Sequence, residues 1–526
     1  MLPVDQEVRE SIIKQNGNIS ISASAGTGKT HTTILKIKHE IEVNKSFQTF
    51  AAITFTKKAA KEIQTRLAGN KGDGFVGTND NFVLKEIICP FMYDVYGRDF
   101  KKELKPDYST ENQVEKFEDG IEKIKHFGYI CKYTDNKKNF SFQLALQILK
   151  SSEAARLYLK SKYYRIYIDE YQDSDKDMHN LFMYICDKLN IFLFIVGDLK
   201  QSIYGWRGGY SKGFEEILSN TNFCQYRLRH NFRSVISIQN FSNMFMDDVR
   251  CDVRKEEFDN GVCCFAYRER GYAVEKIKEW IQFDKTSAFL VRRNDDGKRW
   301  ASELKKNDLN FTFIPGSPLD NSDLESEHVW ISRQLAYFLL KEFYSEYDFY
   351  DEIPNSDSYN FSKIKSALQR IEKYTSDKEV FEQCCYELYA IFGYKSNEKI
   401  RKEVMALYEV INDEQYIPTY NSNKYEHVVT TIHSAKGLQY VQVIVLADNY
   451  NLHNEEDLNL HYVAVSRPEK KLLVLCNYTT ENGKAYCTAV KNNITRVKHL
   501  GIDINIQDVA ECINSSEFKR VNSCCD

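Results

Sequence analysis

The residues Ala23, Ser24, Ala25, Gly26, Thr27, Gly28, Lys29 and Thr30 hold the densest chemistry in the chain. They read as a phosphate-binding loop with alanine in place of the usual first glycine. Gly26 and Gly28 let backbone N–H groups converge on phosphate oxygens. Lys29 carries positive charge to the β- and γ-phosphates, and the Thr30 hydroxyl is a Mg²⁺ ligand. The apolar run Ile19–Ile21 precedes the loop and a helical pattern over Thr32–Val43 follows it. That strand–loop–helix context is the one the motif requires. A second group, Asp169 to Asp173 (Asp-Glu-Tyr-Gln-Asp), closes the apolar run Tyr163–Ile168. Strand carboxyl ends are where an open α/β sheet places ligand chemistry. Asp169 there would hold Mg²⁺, directly or through water, and Glu170 would orient and deprotonate an attacking water. The plainer alternative is an acidic turn in which Asp173 or Ser174 caps the next helix.

These residues need elements to hold them. Apolar runs of strand length recur at Ile19–Ile21, Ala51–Phe55, Tyr163–Ile168, Ile191–Val196, Ala288–Val291, Val428–Ile432, Val443–Ala447 and Leu472–Cys476. Runs apolar on both faces predict parallel strands covered by helices on both sides. Helical patterns such as Lys57–Leu67 and Met178–Leu189 lie between them. The fold class is therefore α/β, with two doubly wound domains. Two mainly helical insertions break the rhythm. One runs from Phe82 to Lys150 and is Lys-rich; the other runs from Asp320 to Asn423, with helical periodicity at Val329–Phe343, Ile364–Ile371 and Val380–Phe392. A chain of 526 residues exceeds what one core supports, in keeping with two lobes.

Bulk properties exclude several classes. A formal net charge of −4 rules out a uniformly basic DNA coat, so nucleic-acid contact has to come from a local patch. The cysteines include no C-x-x-C pair, and the neighbours Cys263–Cys264, Cys384–Cys385 and Cys524–Cys525 suit neither zinc nor an iron–sulfur cluster. Reduced thiols in a cytoplasmic protein are expected. The apolar runs are too short to cross a membrane. After Arg467 there is no further carboxylate–lysine cluster of nuclease type, so no nuclease domain is expected.

Gly197 to Gly208 (GDLKQSIYGWRG) resembles the third motif, GDxxQSIYxWRG, of the UvrD/Rep-type superfamily 1 helicases. Other segments follow in the family's order. Ile53 to Glu62 resembles ITFTNKAA, Leu228 to Ser234 resembles LxxNYRS, Thr431 to Tyr440 resembles TxHxxKGLEF, and Tyr462 to Arg467 resembles YVAxTR. The resemblance implies a DNA-dependent ATPase and 3′–5′ translocase that uses ATP and Mg²⁺. Its architecture would be two RecA-like domains, 1A (1–81 and 151–226) and 2A (227–319 and 424–526), with helical insertions 1B (82–150) and 2B (320–423). Gln201 would sense the γ-phosphate, and Arg233 and Arg467 would be arginine fingers acting with Glu170. His31 and Phe232 would sandwich the adenine, His31 standing where the family has arginine. Gln6 resembles the adenine-reading glutamine, and reads equally well as an exposed terminal side chain. Gln439, in place of glutamate, would lie on the ribose or phosphate side. Phe55, Thr56, Thr78, Tyr204, Trp206 and His433 would contact single-stranded DNA, Tyr204 and Trp206 by stacking; for these two a core aromatic pair is the bland reading.

Lys57, Lys58, Lys61, Lys101, Lys102, Lys137 and Lys138 form either a phosphate track or, more simply, solvated helix faces. His461 reads as packed structure. Asn79 and Asp80 replace the Phe-His of a DNA-contact element, and Asn459 replaces an arginine. These departures bear on unwinding rather than hydrolysis.

The closer resemblance, carried by Gly77–Phe82, Lys137–Leu149, Asp169–Tyr184 and His461–Arg467, is to the Gabija protein B family, the UvrD-like subunits of a two-protein anti-phage defence system. It implies a hetero-oligomer with Gabija protein A, an OLD-family ATPase–Toprim nuclease. Two other roles use the same ATP cycle: a DNA-end-sensing regulatory subunit that activates a nuclease without unwinding, and a stand-alone repair helicase.

Overall fold

Strands that are apolar on both faces need helices over both faces, and helical crossovers make neighbouring strands parallel. The computed structural model shows this outcome twice. It describes residues 3–514 apart from 68–71, 101–103, 107–111, 206–207, 258, 322–323, 325, 327 and 354–358. The first part of the chain forms β1 (Asn18–Ala23), β2 (Thr49–Thr54), β3 (Phe75–Thr78), β4 (Lys105–Pro106), β5 (Tyr129–Ile130), β6 (Tyr163–Ile168), β7 (Phe192–Gly197) and β8 (Phe223–Leu228). The remainder forms β9 (Val262–Tyr267), β10 (Ser287–Val291), β11 (Thr312–Phe313), β12 (His427–Thr431), β13 (Tyr440–Leu446), β14 (Pro468–Asn477) and β15 (Glu511–Asn514). Among the described residues the first lobe has a six-stranded sheet in the order β3-β2-β6-β7-β1-β8, and the second a seven-stranded sheet in the order β11-β12-β10-β13-β14-β9-β15. Every pairing in both sheets is parallel.

All eight apolar runs read from the sequence are strands. The strands that the pattern does not reveal are mostly edges. β8 is exposed at Cys224 and Gln225, and β15 is exposed at Glu511 and Cys512. An edge strand has less to bury, so its residues need not be apolar. Helix Lys57–Leu67 lies where its periodicity places it. The helix after the acidic turn is capped by Asp175, whose side chain accepts from the Met178 N–H, and not by Asp173 or Ser174. The cysteines of the pairs Cys263–Cys264 and Cys384–Cys385 are free and buried; Cys524 and Cys525 lie outside the described residues. Among the described residues no helix is long and apolar enough to cross a membrane.

The two insertions relate differently to their lobes. Between β3 and β6, helices including Phe140–Ser151 and Glu153–Lys162 share one core with the first sheet, where Phe82, Leu144, Ile148 and Leu159 pack with Ile53, Ile166 and Leu181. Between β11 and β12, helices Val329–Leu340, Phe361–Lys373, Lys378–Ile391 and Glu398–Asn412 close a core of their own around Leu335, Leu368, Leu388 and Leu407.

A buried polar knot ties the first lobe together. Arg165 Nε donates to both Glu40 oxygens at 3.0 Å, the Tyr167 hydroxyl donates to Glu40, and Lys36 Nζ lies 2.9 Å from it. Lys36 also donates to the carbonyls of Ile13 and Gln15. Burial alone would raise the Glu40 carboxyl, but Arg165 and Lys36 outweigh it and hold the group below its ordinary value. Glu40→Gln strands two buried cations, so it is expected to destabilise the chain by about 3–5 kcal/mol in denaturant melts. Because the folded-state value is lowered, the wild-type advantage is full above the ordinary value of 4.5 and disappears as pH falls through the lowered one. An advantage that persists unchanged into stronger acid would contradict this account.

Candidate functional site

Strand order brings the motifs together. β6, β7 and β1 are adjacent, so their carboxyl ends set Asp169 and Glu170, Asp198, and the phosphate loop side by side. Gly28, at φ 77°, opens helix Lys29–Val43. Gly26, at φ 74°, leaves no room for a side chain: a Cβ there would lie 2.5 Å from Asn231 Oδ1 and 2.9 Å from Arg233 Cβ. The loop thus needs glycine at 26 both for its turn and for the approach of the segment that links the lobes, whose Phe232 N–H donates to the Gly26 carbonyl at 2.9 Å.

Thr30 Oγ1 donates to Asp169 Oδ2 at 3.1 Å, and Lys29 Nζ lies 3.7 Å from Glu170 Oε1. Glu170 sits at φ 54°, a left-handed backbone that L-residues adopt at a cost. Its N–H donates to Asp169 Oδ1 at 2.9 Å, and Gln172 Nε2 donates to its carboxylate at 2.5 Å. Burial pushes the Asp169 carboxyl up to about 6, with the Glu170 charge adding and Lys29 opposing. Burial would raise Glu170 too, but Lys29 and Lys436 prevail and keep it lowered, hence ionised. One carboxylate of the pair is held charged beside a lysine, as a general base requires.

The second lobe brings two guanidiniums to the same place. Arg467 is 1% exposed and donates to Gln201 Oε1 at 3.2 Å, to Ser466 Oγ at 3.1 Å and to the Val463 carbonyl at 2.8 Å. Gln201 in turn donates to Asp198 Oδ2 at 2.6 Å. Arg233 Nη1 donates to the Ser466 carbonyl at 3.1 Å, so Ser466 yokes the two arginines. Arg233 Nε is buried with no partner. Burial pushes Arg467 down to about 9, and the neighbouring Arg233 charge adds to the effect. Tyr462, 1% exposed, accepts the Ala25 N–H at 3.4 Å. A loop of backbone donors, a lysine, a carboxylate pair, the buried Arg467 and the part-buried Arg233 are groups of the kind that can cradle a triphosphate and its transferred group.

Comparison with known proteins agrees. A family model described as "AAA domain" matches residues 7–207, and one described as "UvrD-like helicase C-terminal domain" matches residues 427–475. The Gabija protein GajB of Bacillus cereus is 39% identical over 89% of this chain and 94% of that protein. The chain belongs to the GajB family. A probable DNA helicase II homologue of Mycoplasma capricolum is 23% identical over 89% of this chain and 83% of that protein. The DNA helicase PcrA of Staphylococcus epidermidis is 26% identical over 60% of this chain and 51% of that protein. This GajB-family chain is accordingly an ATP-hydrolysing protein of the UvrD-like helicase type.

Phe232 is 58% exposed, and the cation over its ring is Arg9, at 5.0 Å; His31 is exposed on its helix. Gln6 donates to Glu10 on its own helix at 2.9 Å, and Gln439 is exposed. The sequence pattern gave no role to Arg9, Asp198, Ser466 or Lys436. For Asp198 the signal was present, since it ends a strand as Asp169 does.

The candidate DNA side is spread over both lobes. Phe55 is half-buried against the first core. Thr56 is exposed and accepts from the Ala59 N–H; Thr78 caps a short helix by accepting from the Asn81 N–H. Tyr204 and His433 face each other at 6.1 Å between ring centroids, and Lys436 Nζ lies 4.5 Å over Tyr204. Trp206, Lys101 and Lys102 lie outside the described residues. Lys57, Lys58, Lys137 and Lys138 are exposed, and Lys61 pairs with Glu352 at 3.2 Å. His461 is fully buried, with Nε2 2.6 Å from the Tyr486 hydroxyl, as packed structure.

Lys436 crosses between lobes. It pairs with Asp173 at 2.6 Å and donates to the Gln201 carbonyl at 2.9 Å. Burial pushes Asp173 up to about 6 against the pull of Lys436. Lys436→Met and Asp173→Asn are each expected to lower the ATPase kcat by about tenfold, the loss of a buried charge-assisted bond. The double variant should lose no more than the worse single one. Fully additive losses in steady-state assays would show that the two residues do not act as a pair.

Proposed function

We propose that the chain is a DNA-dependent ATPase that translocates 3′ to 5′ on single-stranded DNA and serves, with an OLD-family nuclease partner, in a Gabija-type anti-phage complex. The observation that carries the motor part is the bond from Arg467 of the second lobe to Gln201 of the first, set beside the phosphate loop. It links the group that would stabilise charge on the transferred phosphoryl to the residue that would report it. The Gabija role is supported by the similarity to GajB.

In this reading Lys29 and the loop N–H groups bind the β- and γ-phosphates, and Glu170 orients water and accepts its proton. Arg233 and Arg467 stabilise the charge that grows on the transferred group. Thr30 Oγ1 and Asp169 Oδ2, already 3.1 Å apart, are hard oxygens of the kind Mg²⁺ takes. These two would hold the ion, which when bound supplies positive charge to the phosphate oxygens. Because both arginines come from the second lobe, nucleotide draws the lobes together and its hydrolysis lets them part. Tyr204, Trp206, Phe55, Thr56, Thr78 and His433 are the proposed DNA contacts.

Glu170→Gln is expected to cut kcat by about 10²–10⁴-fold with ATP binding retained, and Arg467→Ala by about 10³-fold. Undiminished hydrolysis in Glu170→Gln would remove the assignment of the base. For the motor, strand displacement is measured on 3′- and 5′-tailed duplexes beside DNA-stimulated ATPase. Displacement from the 3′ tail alone is expected. Stimulated hydrolysis with no displacement from either tail would favour the DNA-end-sensing subunit.

A further inference from the structure

The helix Gln6–Lys14 carries an ion pair that touches three parts of the nucleotide site at once. Arg9 is 8% exposed and Asp5 5%. Arg9 Nε and Nη2 donate to the two Asp5 oxygens at 2.7 and 3.1 Å. Its Nη2 also donates to the Thr27 carbonyl of the phosphate loop at 2.9 Å, and its Nη1 to Thr32 Oγ1 at 3.1 Å. The same guanidinium lies 5.0 Å from the Phe232 ring centroid, while the His230 ring meets that phenyl edge-on at 4.5 Å. Asp5 Oδ2 in turn accepts the backbone N–H of Arg229 at 2.7 Å and of His230 at 3.0 Å. The pair therefore fixes the phosphate loop, the linker between lobes and the aromatic ring in one piece.

Such a cluster has a use beyond packing. With the Arg9 guanidinium over its ring and the His230 ring nearly perpendicular to it, Phe232 remains 58% exposed. That exposed surface suits a flat base. A cation behind an aromatic ring holds it in one orientation through the ring quadrupole, and the stacking gain grows with the size of the base. We propose that Asp5 and Arg9 are positioning residues that hold Phe232, and the linker that Asp5 anchors, as a stacking platform for the nucleotide base. The inference rests on the ATP-hydrolysing reading of the site.

The test is steady-state hydrolysis of ATP and UTP by wild type, Arg9→Ala, Arg9→Lys, Phe232→Ala and the Arg9→Ala/Phe232→Ala double variant. Arg9→Ala is expected to raise KM for ATP about five- to tenfold, with kcat within about twofold and a smaller rise for UTP. Arg9→Lys should recover part of the loss for ATP, and the double variant should be no worse than Phe232→Ala. A purely structural Arg9 would instead change ATP and UTP in equal proportion, or add its full effect to that of Phe232→Ala; either result overturns the proposal. If Arg9→Ala does not fold in thermal melts, Arg9→Lys and Asp5→Asn carry the same ATP-to-UTP comparison. Absent ATP turnover in wild type would defeat the ATPase reading itself, whereas normal turnover with an unchanged ratio of ATP to UTP KM values in the variants defeats this inference alone.

Discussion

Two neighbouring guanidinium groups, Arg467 buried and Arg233 part-buried, are the constraint around which this molecule is arranged. Arg467 is pushed down to about 9 by burial and by the charge of Arg233, and Arg233 leaves its Nε without a partner. Removing cations from water is costly unless opposite charge and hydrogen bonds replace the lost hydration. Arg467 receives carbonyls, the Ser466 hydroxyl and the neutral oxygen of Gln201, while the charges of Glu170 and Asp198 act on it through space. Positive charge is thereby concentrated beside the phosphate loop. Under the proposed function a triphosphate bound there would offset that charge, a physical reason for nucleotide to draw the lobes together.

The first lobe supplies the complementary half by topology alone. Motifs separated by well over a hundred residues meet because β1 inserts between β7 and β8 while β2 crosses to the far side of β6. The carboxyl ends of β6, β7 and β1 then deliver Asp169, Asp198 and the phosphate loop to one edge of the sheet. The knot of Glu40, Arg165, Lys36 and Tyr167 joins β6 to the helix that the phosphate loop starts. It fixes the axis of that helix, and with it the N-terminal turn that faces the phosphates.

What the sequence disclosed follows from this division. Local chemistry was legible: the glycines at 26 and 28, the acidic pair after an apolar run, and the central strands other than β9, which are apolar because helices cover both their faces. Edge strands such as β8 and β15 were not, since they keep exposed, partly polar residues. In the site, Lys29, Thr30, Asp169 and Glu170 each sit within the motif that singled them out, and the fold brings the two motifs into contact. The hidden residues act through tertiary contacts. Arg9 and Asp5 look like an ordinary i,i+4 pair on an amphipathic helix, and nothing in that spacing reveals the carbonyl of Thr27 or the ring of Phe232. Lys436 lay within a quoted motif, but its partner Asp173 comes from the other lobe, and the sequence read that aspartate at most as a helix cap.

The pair of Lys436 and Asp173 bears on how the lobes can move. Both side chains are about nine-tenths buried, and rupture would leave each charge without its main partner at a cost of about 3–5 kcal/mol. Binding a triphosphate against Arg233 and Arg467 yields energy of a similar order, so a cycle that broke the pair at every opening would oppose its own closure. The economical motion keeps Lys436 on Asp173 and rotates the second lobe about it, changing the distance from the arginines to the phosphate loop. The same lysine lies over Tyr204, whose ring faces His433. Under the proposed function, a rotation pivoting there would tilt the Tyr204 ring with little translation and so would couple the nucleotide cleft to bound DNA with the Lys436–Asp173 pair kept.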